Sequence, residues 1–138
     1  MLRFALSLLL LAVANPTRAG DLSSFAGKYV GCAVSGDEWV PIATTLTADG
    51  DTLSGTYVFI ETPGRWVPGT LAFVSRDGEN DITFLWSDIY GTGSASFFFS
   101  AGGARFDGYW TGESERFPWN GVRQGSGLPK PDCSAPVA

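Results

Sequence analysis

Phe106-Asp-Gly-Tyr-Trp-Thr-Gly112 is the stretch that decides the fold, and Trp119-Asn-Gly-Val-Arg123 follows it closely. Successive side chains of an extended strand point to opposite faces, so Phe106, Gly108 and Trp110 would share one face. A glycine beside an aromatic residue leaves room for a ring from a facing strand. The stretch therefore predicts a strand whose sheet packs large and small residues in alternation.

The same alternation occurs earlier in the chain, so the strands should resemble one another. It recurs as Phe25-Ala-Gly-Lys-Tyr-Val-Gly31 and Leu53-Ser-Gly-Thr-Tyr57, and more weakly as Val67-Pro-Gly-Thr-Leu71. After the N-terminal segment the chain shows no sustained helical period, and Gly, Ser, Thr and aromatic residues dominate it. The sequence thus predicts an all-β protein built on one sheet.

Eight short strands are predicted between turn sequences, at residues 27–35, 39–48, 52–61, 65–75, 81–88, 93–100, 104–112 and 119–123. Pro68 requires an edge, a bulge or a break in its strand. Because the turns are short, consecutive strands should be neighbours in the sheet. Closing the first strand on the eighth removes both exposed edges. We therefore expect a single eight-stranded antiparallel up-and-down β-barrel in preference to a sandwich.

Several segments resemble known secreted β-barrels. The hairpin at residues 48–57 is similar to the second hairpin of avidin and streptavidin, and residues 82–88 and 106–112 fall where that family has its later tryptophan-bearing strands. The Phe-x-Gly-x-Trp and Trp-x-Gly-x-Arg ending also resembles secreted bacterial proteins of lipocalin-like architecture. The resemblance implies the barrel fold. The avidin family carries a biotin-binding asparagine on its first strand, and the matching stretch here, Tyr29-Val-Gly31, lacks that asparagine.

Residues 1–19 are predicted to be a secretory signal peptide. A basic start precedes an apolar run that is too short to span a bilayer, and small residues follow at the cleavage positions. We place the cleavage after Ala19, with Ala14 as the alternative. The mature chain should therefore be secreted or periplasmic.

The mature chain divides into a β-barrel domain at residues 20–123 and a coil tail at residues 124–138, which is rich in Gly, Pro and Ser. Its two cysteines are Cys32 in the first strand and Cys133 in the tail. In an exported protein they most simply form a disulfide, which would tether the tail to the barrel. Two free thiols are the alternative.

The charge of the chain excludes some partners. The chain has 14 acidic and 9 basic residues. Loss of Arg3 and Arg18 with the signal peptide would leave 7 basic residues and a net charge of about −7. The remaining basic residues are scattered singly and form no stripe for a phosphate backbone. Neither nucleic acid binding nor membrane insertion is expected.

The residues available for catalysis are few. The chain has no histidine, which removes the commonest general base near neutral pH and the commonest transition-metal ligand. With both cysteines assigned to a disulfide, we expect no metal site and no cofactor. Glu113 and Glu115 remain as a candidate acid and base on a glycosidic bond, because residues two apart on a strand point the same way.

Aromatic residues are the most informative set. Those in phase with small residues are assigned to the inner face of the barrel: Phe25, Phe84, Trp86, Phe97, Phe99, Phe106 and Trp110. Four that flank turns or lie in loops are candidate ligand-binding residues: Trp39, Trp66, Tyr90 and Trp119. A packing role is the alternative for each of the four. Arg123 is predicted to stabilise one end of the barrel by a cation–π contact with an aromatic residue of the first strand.

Three functions follow as hypotheses. The first is a non-catalytic binding module that holds a small apolar or amphipathic molecule at one mouth of the barrel. The second is a protein-interaction role, either as an inhibitor that binds a basic secreted hydrolase or as a structural envelope component. The third is the carboxylate-based hydrolase. The interior distinguishes them, because a partly polar empty bore favours a ligand and a filled bore favours contacts through loops.

Overall fold

The structure, a computed structural model, describes residues 22–134, which form a closed eight-stranded antiparallel barrel. Each strand pairs with the next, and β1 pairs with β8, so the predicted fold class is confirmed. The strands are β1 Gly27–Ser35, β2 Glu38–Asp49, β3 Thr52–Thr62, β4 Arg65–Gly78, β5 Asp81–Asp88, β6 Gly91–Phe99, β7 Arg105–Gly112 and β8 Glu115–Arg123. The predicted signal peptide, residues 1–19, lies outside the described residues.

The predicted strand bounds agree with the structure for β1 and β5, and they fail most clearly at β8. This strand begins at Glu115, well before the predicted start at Trp119. The cause is the turn before it, where Glu113 and Ser114 have φ angles of 47° and 76°. Such left-handed positions usually hold glycine or asparagine. The segment predicted as a long loop is therefore a tight hairpin.

The two ends of the barrel differ, and we call them the mouth and the base. The mouth carries the four hairpins β1–β2, β3–β4, β5–β6 and β7–β8. The base is covered by two short 3₁₀ helices, η1 (Leu22–Phe25) and η2 (Ala101–Gly103). In the described residues 22–134, these two helices cover the base, whereas the interior opens at the mouth.

Pro68 and Pro118 lie at positions where their strand is paired with a neighbour on one side only. Pro68 belongs to β4, whose pairing with β5 begins at Thr70. Pro118 belongs to β8, whose pairing with β1 begins at Trp119. A residue without an N–H sacrifices no ladder hydrogen bond at such a position. The edge position required by Pro68 is thus met at the mouth end of β4.

Aromatic rings fill the base half of the barrel. Phe25 stacks on Phe99 with ring centroids 4.3 Å apart, and Tyr29 meets Phe106 edge to face at 5.2 Å. Gly121 lies against this cluster, and a Cβ there would come within 2.7 Å of the Phe106 ring and 2.9 Å of Tyr29 Cβ. The predicted alternation of glycine and ring is therefore a packing requirement of the barrel.

Because of Tyr29, we expect the stability of the barrel's base end to fall at alkaline pH. Its hydroxyl lies 2.8 Å from the Phe25 carbonyl oxygen and 2.9 Å from that of Gly103, so its proton is shared between two acceptors. Burial raises the pKa of Tyr29 to about 12, although the nearby Arg123 opposes the shift. The unfolded chain releases this proton near pH ~10. The protonated Tyr29 hydroxyl therefore contributes to the free energy of unfolding below about pH 10, and this contribution is lost as the pH rises towards about 12.

We expect unfolding free energies to show this loss directly. From about pH 9 to about pH 12 the wild type should lose about 2 kcal/mol more than Tyr29→Phe, because the variant has no phenol to titrate at this position. Urea unfolding at a series of pH values measures the difference. Parallel pH profiles for the two proteins would contradict the assignment.

Arg123 stabilises the base, although not by the predicted cation–π contact. Its guanidinium donates one hydrogen bond to the Ser24 carbonyl oxygen at 2.6 Å and another to the Gly102 carbonyl oxygen at 2.9 Å. The guanidinium is planar and carries several N–H donors, so backbone carbonyl oxygens of η1 and η2 bind it more strongly than an aromatic ring would. Arg123 thus ties both covering helices to the last strand.

We expect Arg123→Ala to lower the free energy of unfolding by about 1–3 kcal/mol, because two charge-assisted hydrogen bonds are lost. Arg105→Ala is the matched control, since Arg105 is exposed and its Nε lies 4.0 Å from Asp107. The control should change stability by less than about 0.5 kcal/mol. Equal effects of the two variants in urea unfolding would remove the structural role of Arg123.

The disulfide between Cys32 and Cys133 is present, with a Cα–Cα distance of 5.5 Å. Residues 124–134 follow β8 as turns and coil, as predicted for the tail, and the bond holds them against the outer side of β1. Disulfides persist in oxidising compartments. The bond is consistent with an extracellular or periplasmic location.

Candidate ligand-binding cavity

A cavity of about 500 Å³ opens at the mouth of the barrel. It is lined by residues near the mouth ends of β1, β2, β3, β5, β7 and β8, by Gly36 in the β1–β2 turn and by Tyr90 in the β5–β6 turn. The bore is therefore filled at the base and open at the mouth. Ligand sites in proteins have volumes of roughly 300–1,000 Å³, so the cavity is large enough for a small molecule.

Two tryptophans form one wall of the cavity. Trp86 of β5 and Trp110 of β7 meet edge to face with ring centroids 5.5 Å apart. The Trp110 ring stacks on Phe117 of β8 and donates its N–H to the Val34 carbonyl oxygen of β1 at 2.9 Å. Trp86 donates to the Thr111 carbonyl oxygen at 3.3 Å. Because both indole N–H groups have partners, this wall offers a ligand aromatic surface and not donors.

Trp119 forms the floor. Only 3% of its surface is exposed, and its N–H donates to Thr44 Oγ1 at 3.2 Å. Its ring lies edge to face against Tyr57 on one side and against Phe97 on the other, at 4.9 Å in both cases. Phe97 belongs to the filled base half. Trp119 therefore marks the boundary between the packed base and the open cavity.

Asp88 is a carboxylate of the cavity that accepts two hydrogen bonds from the protein. The Tyr57 hydroxyl donates to its Oδ2 at 2.7 Å, and the backbone N–H of Tyr90 donates to its Oδ1 at 2.8 Å. Burial, followed by the hydrogen bond to Asp88, raises the pKa of Tyr57 far above its ordinary value. Tyr57 therefore stays a protonated donor at any physiological pH, and the carboxylate keeps a fixed orientation.

Glu61 of β3 is a second carboxylate at the open edge of the cavity, which we call the rim. The Tyr90 hydroxyl donates to Glu61 Oε1, and this bond is the main cause of the raised pKa of Tyr90. Arg65 Nε lies 2.9 Å from Glu61 Oε2. Tyr90 thus links the two carboxylates, since its side chain binds Glu61 while its backbone binds Asp88.

The approach of Tyr57 to Asp88 depends on a glycine. Tyr57 is on β3 and Asp88 on β5, so the ring must lie across β4, where it passes over Gly69. A Cβ at Gly69 would be 2.1 Å from Tyr57 Cζ and 2.4 Å from its hydroxyl oxygen. The glycine in Val67-Pro-Gly-Thr-Leu71 is therefore explained by the path of this side chain.

We expect Gly69→Ala to destabilise the fold by about 1–3 kcal/mol, because the confined Tyr57 ring must move and its bond to Asp88 is lost. Gly78→Ala is the control, since a Cβ there meets Asp81 Cβ at an ordinary 3.5 Å. Urea unfolding of both variants measures the difference. A Gly69→Ala protein as stable as the Gly78→Ala protein would contradict this geometry.

The four predicted ligand-binding residues separate into two pairs. Tyr90 and Trp119 line the cavity, although Trp119 lies buried inside β8 and not at the end of a loop. Trp39 and Trp66 do not line it. Both lie one position from an inward-facing valine, Val40 or Val67, and so point to the outer side of the sheet. Proximity to a turn was a weaker guide than strand parity.

Several cavity residues were missed as site residues. The sequence pattern predicts Trp86 and Trp110 to be core residues of the inner face and does not single out Phe59, Tyr57 or Asp88, yet all five line the cavity. Strand parity applied to the hairpin end alone would have found them, because inward positions beyond the last filled layer must face the opening. The sequence does not show at which residues the close packing of the base ends and the cavity begins.

Glu113 and Glu115 do not share a strand face. Glu113 lies in the β7–β8 turn with a left-handed backbone, and Glu115 begins β8. Both are exposed, and neither lines the cavity. The two-residue spacing that suggested an acid and base pair is therefore that of a tight hairpin.

Comparison of the chain with protein-family models, curated proteins and solved structures gave no match. Among residues 22–134, no helix is long and apolar enough to cross a membrane. The architecture itself, a closed eight-stranded antiparallel barrel, is compatible with a streptavidin-like or lipocalin-like barrel.

Proposed function

We propose that the mature protein is a secreted or periplasmic binding module that holds a small apolar or amphipathic molecule in the mouth cavity and performs no chemistry on it. The observation that carries the proposal is a cavity of about 500 Å³ above a packed aromatic base. An interior built only for stability would be filled along its length. The aromatic walls suit an apolar body, and the rim carboxylates and Tyr90 suit a polar group.

Intrinsic tryptophan fluorescence tests this proposal, because Trp86, Trp110 and Trp119 line the cavity. We expect at least one compound from a panel of fatty acids, flavonoid-like aromatics and oligosaccharides to shift or quench the emission in a saturable way. Trp66→Phe should keep the response, since Trp66 is 65% exposed on the outer side. Absence of a response to every class, or its loss in Trp66→Phe, would contradict the proposal.

A second candidate function is protein interaction, as an inhibitor of a basic secreted hydrolase or as an envelope component. The outward-facing Trp66 supports it, because large exposed aromatic residues often anchor partner proteins. A pull-down from secreted proteins that yields one basic partner, with capture lost in Trp66→Ala and at high salt, would favour this role. Capture that is unaffected by both changes would oppose it.

A further inference from the structure

We infer that the cavity takes an organic cation, with an apolar or aromatic body and an amine or quaternary ammonium group. This inference rests on the proposed ligand-binding function and names the class of ligand. It is carried by the cavity itself, whose lining contains aromatic rings and acidic side chains and, among the described residues, no basic side chain.

The rim has an unbalanced negative charge. Glu38, Glu61 and Asp88 line the cavity. Arg65 does not line the cavity, but it forms an ion pair with Glu61 and offsets part of the charge of that carboxylate. A second ion pair lies elsewhere, between Arg105 and Asp107. Glu38 and Asp88 therefore face the opening without a cationic partner in the described part of the chain.

Covering Asp88 with an uncharged ligand is unfavourable. The carboxylate is already half-buried, and its protein donors are the Tyr57 hydroxyl and the Tyr90 backbone N–H. A ligand seated on the tryptophan wall would displace the water that solvates the remaining lone pairs. Removing water from a carboxylate costs several kcal/mol unless a compensating charge arrives. A cationic group on the ligand supplies that charge.

The rings provide the second half of a cation site. Trp86 and Trp110 are perpendicular to each other, so a group in the corner between them meets one ring face and one ring edge. The Tyr90 ring lies near Phe59, with ring centroids 6.5 Å apart, and both residues line the cavity. Ring faces attract cations, most strongly those of tryptophan, and quaternary ammonium groups suit such enclosures because they need no hydrogen-bond acceptor.

Other charge classes fit less well. An anion would meet three carboxylates and no basic lining residue in the described chain, which opposes its entry. A bare inorganic cation would leave most of the 500 Å³ empty of protein contact and would gain nothing from the rings. An organic cation uses both the apolar volume and the charge.

Three probes that share a phenyl ring separate these cases. Benzyltrimethylammonium is the cation, neopentylbenzene is its uncharged isostere with carbon in place of nitrogen, and benzenesulfonate is an anion with the same ring. Their affinities are measured by tryptophan fluorescence and calorimetry at low salt. We expect the cation to bind at least about tenfold more tightly than the isostere, although the isostere gains more by leaving water.

Charge-neutralising variants test the rim. Asp88→Asn and Glu38→Gln should each weaken binding of benzyltrimethylammonium about three- to tenfold, whereas the affinity for neopentylbenzene should not fall and should rise where the desolvation cost of a carboxylate is removed. Glu38→Gln is included because Asp88→Asn also alters the bond from Tyr57, whereas Glu38 is exposed at the rim. Glu113→Gln is the matched control. It removes the same charge from an exposed hairpin outside the cavity and should change neither affinity beyond about twofold.

The outcomes distinguish the two proposals. Equal or tighter binding of neopentylbenzene or benzenesulfonate, or a cation affinity that falls equally in Glu113→Gln and Glu38→Gln, overturns the cation inference while ligand binding stands. Failure of all three probes and of the wider panel overturns the binding function itself. Selective loss of cation affinity in Glu38→Gln supports the inference.

Discussion

Replacing both Cys32 and Cys133 with serine is expected to lower the free energy of unfolding by about 4–5 kcal/mol. The bond joins residues 101 positions apart, so it restricts almost the whole unfolded domain, and the chain-entropy argument gives its largest values for such long loops. It also fixes the tail on β1. A loss of this size is a large part of the ~5–15 kcal/mol that stabilises a typical domain.

Urea unfolding of the double variant, beside the wild type with and without a reductant, measures this effect. Reduction should destabilise the wild type by a similar amount and leave the variant unchanged. A variant within about 1 kcal/mol of the wild type would contradict the tether and would mean that the barrel alone determines stability.

Phe97→Ala is expected to cost about 3–5 kcal/mol, because it opens a cavity in the best-packed layer of the barrel. Phe97 has no exposed surface, stacks on Phe106 at 4.0 Å and supports Trp119 edge to face at 4.9 Å. Phe98→Ala is the control on the next residue, which points outward and is 46% exposed. It should cost less than about 1 kcal/mol.

Comparison of the two unfolding midpoints tests which face of β6 carries the core. Similar losses for Phe97→Ala and Phe98→Ala would contradict the inward position of Phe97. Because Phe97 supports the floor formed by Trp119, its removal should also weaken ligand binding, whereas Phe98→Ala should leave binding unchanged.

The fold could be predicted because its packing rule is local. A ring beside a glycine, repeated at strand period, fixes the inner face of the strands that carry it, and Gly121 and Phe106 meet as that rule requires. The start of β8 could not be predicted, because Glu113 and Ser114 adopt left-handed angles that their residue types rarely take. Tertiary pairing with β7 overrides the local preference there.

The candidate site was only partly predictable. Tyr90 follows from its loop position, but Trp39 and Trp66 face outward because strand parity and not distance from a turn sets side-chain direction. Asp88 shares the inner face of β5 with Trp86, but its hydrogen bond from Tyr57 forms only because the Tyr57 ring crosses β4 over Gly69. Such a contact joins three strands, and no pattern along one strand reveals it.

The indole N–H signals of the tryptophans provide the most direct test of binding in the mouth cavity. The chain has 5 tryptophans, of which Trp86, Trp110 and Trp119 line the cavity and Trp39 and Trp66 do not. Each signal is assigned by a Trp→Phe variant and followed by NMR as benzyltrimethylammonium and then neopentylbenzene are added.

We predict that the signals of Trp86 and Trp110 shift in a saturable way while those of Trp39 and Trp66 stay in place. Shifts confined to Trp39 and Trp66, or no shift of any indole signal, would contradict a ligand site inside the mouth of the barrel.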